Sequence, residues 1–341
     1  MRKILAILAA ALISASFAYA QPANGQPAGG QRPSTVQQPG NGQRPAGANP
    51  AAVVPRAMLS TQVRQSNSAP RMEPNYVIDM WPNGAPTDNG ITAEERDMGT
   101  VASNITKAQL SFFLPKNPNG MAVIICAGGA YSSVWYGTEG YANAAFFLDR
   151  GVTVMVLKYR LPNGHPEVPL DDVHEAFRIA RAAAPEMGVK KIGVVGCSAG
   201  GHLASMASTK YDNEIQRPDF TILYYPVITA DPAFSHEGSI INLVGRDNIN
   251  KRNIDLYSNE KHVTPDTPPA FIMANTDDDV VPVRNSIEYY NALVANGVSA
   301  SLNVYPEGGH GWTDHLDFAY RDQWMDTLGK WLERLQESFG L

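Results

Sequence analysis

The stretch Ile192-Gly193-Val194-Val195-Gly196-Cys197-Ser198-Ala199-Gly200-Gly201-His202-Leu203-Ala204-Ser205-Met206 runs from an apolar segment, through a serine among small residues, into a helix-forming segment. An unalternating apolar run such as Ile192–Val195 fits a strand covered on both faces. Gly196 to Gly200 is a G-x-S-x-G sequence. Taken alone it is a weak match, since three fixed residues in five occur by chance. Its setting of strand, sharp turn and helix is the one that holds a nucleophilic serine on a strained backbone. Gly196, Ala199, Gly200 and Gly201 supply the small neighbours that let strand and helix approach. The alternative is an ordinary strand–helix turn with an inert serine.

A serine hydroxyl is a poor nucleophile near neutral pH and needs a base, which in turn needs an orienting carboxylate. With this kind of turn the chain order is serine, acid, histidine. The acid should follow a late strand. After Ala270–Ala274 comes Thr276-Asp277-Asp278-Asp279-Val280-Val281-Pro282, where spacing leaves three adjacent aspartates open; those not used would cap the turn or the next helix. The base should lie after the last strand, where Gly308-Gly309-His310-Gly311-Trp312 offers a histidine on a Gly-rich loop. Of the seven histidines, His310 alone combines that order and that setting. His202 reads as a packing or capping residue, and the remaining five as surface or structural. The oxyanion requires preorganised N–H donors. Ala199 supplies one, and Gly129 and Ala130, in the loop Ala127-Gly128-Gly129-Ala130-Tyr131 after an early apolar run, are the candidates for the others.

Working outward, apolar runs alternate with helical patterns, which predicts an α/β fold with a mostly parallel sheet flanked by helices. Strands are expected at Leu110–Leu114, Ala122–Cys126, Val152–Leu157, Ala270–Ala274 and Ala300–Val304. Val173, Ala176, Phe177 and Ala180 share a helical face, with Asp172 as a possible N-cap. Ile287, Tyr290 and Leu293 suggest a helix after Pro282. Trp324, Leu328, Trp331 and Leu335 mark an amphipathic C-terminal helix. Thr229–Thr267 reads as a small insertion over the site.

The chain has 341 residues, 44% apolar and 18% charged, with net charge −6. No clustered basic face suggests a nucleic-acid partner. Arg2, Lys3, the apolar run Ile4–Ile13 and Ala18-Tyr19-Ala20 read as a signal peptide over 1–20, hence a periplasmic or secreted protein without a membrane span after cleavage. Residues 21–70 lack Asp, Glu, Phe, Trp and Tyr and read as a disordered Pro/Gly/Gln-rich linker. The catalytic domain is assigned to 71–341. Two cysteines, Cys126 and Cys197, allow one bridge or two buried thiols. The histidines show no ligand spacing, so neither metal nor cofactor is implied.

These segments together resemble the bacterial acetyl xylan esterase and feruloyl-esterase-like group of the α/β-hydrolase superfamily. The resemblance runs from about Met80 to the C-terminus. It is carried by Trp81-Pro82-Asn83-Gly84-Ala85-Pro86, Gly128 to Tyr131, Glu139-Gly140, Leu157 to Leu161, Gly196 to Ala204, Arg217 to Phe220, Tyr225 to Thr229, Thr267 to Pro269 and Asp278-Asp279-Val280-Val281-Pro282. The D-x-x-V-P pattern puts the triad acid on Asp278 and supports Ser198 and His310. Departures are Cys126-Ala127 for an apolar residue and Pro, Ala130 for a third Gly, and Cys197 for Phe. The resemblance implies a serine carboxylic ester hydrolase acting on acylated oligo- or polysaccharide, with acetyl or feruloyl as the acyl group. Tyr131, Trp135 and Trp312 would then be candidate stacking residues for a sugar or phenolic ring. Two other readings share the scaffold: a serine peptidase, and a catalytically silent carbohydrate-binding envelope protein.

Overall fold

The computed structural model describes residues 68–341. The expected signal peptide and nearly all of the expected linker lie outside the described residues. Within them, Ser68 bridges His315, and the Ala69 N–H donates to the Asp314 carbonyl at 2.8 Å, so residues just before the expected domain start at 71 already contact the domain.

Eleven strands form among the described residues: β1 (Tyr76–Asp79), β2 (Arg96–Asp97), β3 (Ala102–Ser103), β4 (Gln109–Phe113), β5 (Met121–Cys126), β6 (Ser133–Val134), β7 (Thr153–Lys158), β8 (Lys191–Cys197), β9 (Thr221–Tyr224), β10 (Ala270–Asn275) and β11 (Ala300–Tyr305). Eight of them build one sheet in the order β1-β4-β7-β5-β8-β9-β10-β11. Only β1 with β4 and β4 with β7 are antiparallel; every later pair is parallel. Each of the six strands expected from the apolar runs is present. Two strands of this sheet were not foreseen. β9 has four residues, all buried, and β1 alternates half-buried and exposed residues over its four positions. A small sheet of β2, β3 and β6 lies apart from the main one.

Seven α-helices accompany the strands among the described residues: α1 (Ala142–Leu148), α2 (Glu167–Ala183), α3 (Ala199–Thr209), α4 (Glu237–Val244), α5 (Lys251–Leu256), α6 (Arg284–Ala295) and α7 (Arg321–Ser338). α4 and α5 occupy the expected insertion between β9 and β10. In α7 the stripe Trp324, Leu328 and Leu335 is buried as the spacing predicted. Asp172 departs from its expected part. α2 starts five residues earlier, at Glu167, and Asp172 is a fully buried side chain inside it, paired with Arg160 at 2.7 Å.

The parallel order has a direct consequence for the site. β5, β8, β9, β10 and β11 are neighbours, and parallel strands end at the same side of the sheet. The segments Ala127–Tyr131, Ser198, Tyr225, Asp278 and His310, which follow those five strands in turn, are thereby gathered at their carboxyl ends, where open α/β sheets bind ligands.

Candidate active site

Ser198 stands between β8 and α3 with φ +51° and ψ −121°, a conformation L-residues rarely adopt. The turn is held by a close approach. A Cβ on Gly200 would collide with the carbonyl oxygens of Cys126 and Ala127, so only glycine lets α3 start this near β5. The Ser198 N–H donates to the Tyr224 carbonyl at 3.1 Å, and its own carbonyl accepts from Gly201 and Val227. The side chain is 8% exposed, so the hydroxyl is reachable but its backbone is immobilised.

His310 Nε2 lies 2.9 Å from Ser198 Oγ, and its Nδ1 lies 2.7 Å from Asp278 Oδ2. A carboxylate at Nδ1 keeps the proton on that nitrogen and leaves Nε2 as an acceptor for the serine proton. Asp278 is held by its own turn. Its Oδ1 accepts the N–H groups of Val280 and Val281 at 3.0 and 2.8 Å. The turn also separates the three aspartates. Asp277 points to the histidine loop, accepting the N–H groups of Gly308 and Gly309 at 3.0 and 2.9 Å, which hold its carboxyl below the usual carboxylate range. Asp279 is exposed, and α6 begins without a side-chain cap.

The loop after β5 lies against the serine: a Cβ placed on Gly128 would stand 2.8 Å from Ser198 Cβ. Its path is tightly curled, with Gly129, Ala130 and Tyr131 at φ +128°, +54° and +59°. Gly129 is required there, because a side chain would collide with the Ser133 carbonyl. The Gly129 carbonyl turns back to accept from Ser132 and Ser133, and the Ala130 carbonyl accepts from Asn242 Nδ2 of α4 at 2.8 Å. Among the described residues the N–H groups of Gly129 and Ala130 have no protein acceptor, and the Ala199 N–H is one of the orphan donors at the start of α3. Three N–H groups are thus available on the two segments that flank Ser198.

Two of the three expected stacking residues are elsewhere. Tyr131 is 1% exposed, its ring edge-on to Tyr159 and His202. Trp312 is also 1% exposed, stacked on Phe318 at 4.4 Å and packed against Tyr224, Tyr225 and Trp324. Both are core aromatics: they sit on the loops that carry the site, but their side chains are packed into the core. Trp135 is 46% exposed, and its backbone N–H donates to the Gly128 carbonyl at 3.0 Å, so of the three it alone has an exposed ring on a segment bonded to the loop after β5.

Three residues acquire partners that the sequence did not name, although His202 packs as expected. His202 is fully buried and burial pushes its pKa down to about 4. The neutral ring donates from Nε2 to the Tyr257 carbonyl at 2.8 Å and so accepts from the Tyr131 hydroxyl at 3.0 Å, tying the curled loop to the insertion. His236 caps α4 through Nδ1, and burial followed by the nearby His310 lowers its pKa. Glu139 is a half-buried carboxylate bonded to the curled loop at the Gly128 N–H. Cys126 and Cys197 are free and buried. Cys126 pairs across the sheet with Gly196, so Cys197, one residue on, points to the other face. Among the described residues no cluster of His, Cys, Asp or Glu is suited to a metal ion, and no helix is long and apolar enough to cross a membrane.

Residues 128–314, more than half of the chain, match the profile of a family described as alpha/beta hydrolase fold. The chain belongs to the α/β-hydrolase family. Within it, an acetylxylan esterase of Xylanibacter ruminicola is 41% identical over 234 residues, which are 67% of this chain and 48% of that protein. An endo-1,4-beta-xylanase B of Butyrivibrio fibrisolvens is 33% identical over 56% of this chain and 32% of its own length. The chain thus spans about half or less of these curated relatives. Among solved α/β-hydrolase structures, an acetyl ester-xyloside bifunctional hydrolase from Caldicellulosiruptor lactoaceticus superposes with TM-score 0.64 at 30% identity, covering 79% of this chain and 98% of that one.

Proposed function

We propose that the chain is a serine carboxylic ester hydrolase that removes acetyl or feruloyl groups from plant polysaccharide such as xylan. The observation that carries this reading is the unbroken line Asp278–His310–Ser198, at 2.7 and 2.9 Å, ending at a strained serine flanked by undirected N–H donors. His310 Nε2 takes the Ser198 proton as Oγ attacks the ester carbonyl. The oxyanion is received by the N–H groups of Gly129, Ala130 and Ala199. On collapse the alcohol leaves with the proton from His310, and Ser198 carries the acyl group. Water, deprotonated by the same nitrogen, then attacks the acyl-enzyme, and the acid departs with the serine restored. Support for a xylan ester comes from the names of the acetylxylan esterase and the acetyl ester-xyloside hydrolase to which the chain is similar. The charged start, apolar run and Ala18-Tyr19-Ala20 support export to the periplasm or beyond.

Hydrolysis of p-nitrophenyl acetate, O-acetylated xylan and methyl ferulate by the wild type and by Ser198→Ala tests the reading. Release of acetate from xylan that vanishes in the variant supports a polysaccharide deacetylase. Ferulate release alone moves the acyl group to feruloyl. No serine-dependent turnover of any of the three leaves a binding protein on a hydrolase scaffold. The exposed Trp135 bears on the alcohol side. Trp135→Ala is expected to raise KM for acetylated xylo-oligosaccharides by about tenfold with kcat within about twofold, the loss of one stacking contact. An unchanged KM would remove Trp135 from the substrate path.

A further inference from the structure

Glu139 is a half-buried carboxylate beside the triad that the reaction as written does not use. It lies in a turn of π-helix, Tyr136–Tyr141, a local widening often found at functional sites. That turn is fixed by Asn143 Nδ2, which donates to the Glu139 carbonyl at 2.9 Å. The side chain faces inward. Oε2 accepts the Gly128 N–H at 2.5 Å, and Oε1 accepts the Tyr225 hydroxyl at 3.0 Å.

Each partner leads to a different half of the site. Gly128 directly precedes Gly129 and Ala130, whose N–H groups have no protein acceptor among the described residues and are the candidate oxyanion donors. Tyr225, at the end of β9 with φ +38°, lies edge-on to the His310 ring at 4.7 Å. Its hydroxyl also meets Thr313 Oγ1 at 2.9 Å, three residues after His310. One carboxylate therefore spans the loop of the donors and the loop of the base.

We propose that Glu139 is a positioning residue for ester hydrolysis: through Gly128 and Tyr225 it locks the oxyanion donors and His310 into one fixed arrangement around Ser198. The proposal rests on the hydrolase reading given above. Burying a carboxylate costs stability, and two well-placed hydrogen bonds offset that cost. What the pair of bonds supplies is registration. The curled loop has positive φ at three successive residues and would relax without an anchor, and a shift near 1 Å at such donors costs on the order of 100-fold in rate.

The substitutions separate anchoring from charge. In Glu139→Gln the amide oxygen keeps the Gly128 N–H, the amide NH2 donates to the Tyr225 oxygen, and the Tyr225 hydroxyl turns to Thr313. Both bonds survive without the charge. In Glu139→Ala neither does. With p-nitrophenyl acetate, E139A is expected to lose about 100-fold in kcat with KM within about threefold. E139Q is expected to keep at least about a third of the wild-type kcat. The rate at which a p-nitrophenyl phosphonate, which puts an oxygen in the oxyanion position, labels Ser198 should fall in E139A as far as kcat does.

An E139A variant with kcat within about threefold of wild type overturns the proposal, as does an E139Q that falls as far as E139A. Should E139A fail to fold, Tyr225→Phe carries the test: a kcat at least about tenfold lower with KM held supports the proposal, and an unchanged kcat overturns it. Ser198→Ala run on the same ester keeps the two readings apart. If the wild type itself shows no Ser198-dependent turnover, the hydrolase reading has failed; if it does and E139A matches it, only the positioning role has.

Discussion

Ser198→Ala lowers kcat for p-nitrophenyl acetate on the order of 10⁶-fold, His310→Ala does about the same, and the double variant loses no more than either. The equality follows from the geometry. His310 Nε2 has no proton to take without Ser198 Oγ, and Ser198 Oγ keeps its proton without Nε2 2.9 Å away. Residual turnover then rests on binding and on the N–H groups of Gly129, Ala130 and Ala199, which neither substitution touches. Asp278→Asn is the more informative change, with an expected loss of about 10⁴-fold in kcat. The Val280 and Val281 N–H groups already claim one side of residue 278, so the amide oxygen stays with them. The NH2 group then faces His310 Nδ1, that nitrogen becomes an acceptor, and the ring proton moves to Nε2, where it blocks the serine. Steady-state kinetics on the four variants check this. A D278N enzyme retaining more than about a tenth of kcat would show that the turn does not fix the tautomer.

The parts of this site readable in the sequence are those whose chemistry is local. Ser198 announced itself because a strained turn between a buried strand and a helix needs small residues on both sides, and Gly196, Ala199, Gly200 and Gly201 are there. His310 was legible because its loop is Gly-rich and late. The aspartates were not separable by spacing, since Asp277 to Asp279 share one turn; their directions are set by which N–H groups the turn presents, and the acid was fixed only by resemblance. The aromatic assignment failed for a related reason. Tyr131 and Trp312 adjoin the site in sequence, yet both side chains are packed into the core, where Tyr159, His202, Phe318 and Trp324 receive them. Glu139 carried no local signal for its part, and His202 signalled only packing or capping, not its partners. Their partners lie 11 residues away at Gly128, 71 at Tyr131 and 86 at Tyr225, and only the parallel strand order brings them together. β9 escaped for want of length: four residues, too few for a pattern.

Asp172→Ala is expected to destabilise the fold by about 3–5 kcal/mol, the largest stability loss of any change considered. Asp172 shows no exposure and accepts four groups. Arg160 Nη2 and Nε stand at 2.7 and 2.9 Å from Oδ1, the Arg160 N–H at 2.8 Å from Oδ2, and Trp81 Nε1 at 2.7 Å from Oδ1. Removing the carboxylate leaves a guanidinium that is 3% exposed without its counter-ion, and takes the acceptor from two further donors. Arg160 Nη1 still has the Thr87 carbonyl at 2.6 Å, which satisfies a proton but not a charge. This one side chain also explains why two distant segments of the family resemblance occur together: Trp81 and Arg160 both close on Asp172, joining the Trp81–Pro86 stretch and the end of β7 to α2. For a domain of this size the loss corresponds to a melting temperature lower by roughly 10 °C. The double variant Arg160→Met, Asp172→Ala should recover part of it, because a buried ion pair replaced whole by apolar groups avoids the uncompensated charge. Thermal unfolding of wild type, single and double variants gives the comparison. If the double variant is no more stable than Asp172→Ala, the cost lies in the lost Trp81 and backbone hydrogen bonds and not in the stranded guanidinium.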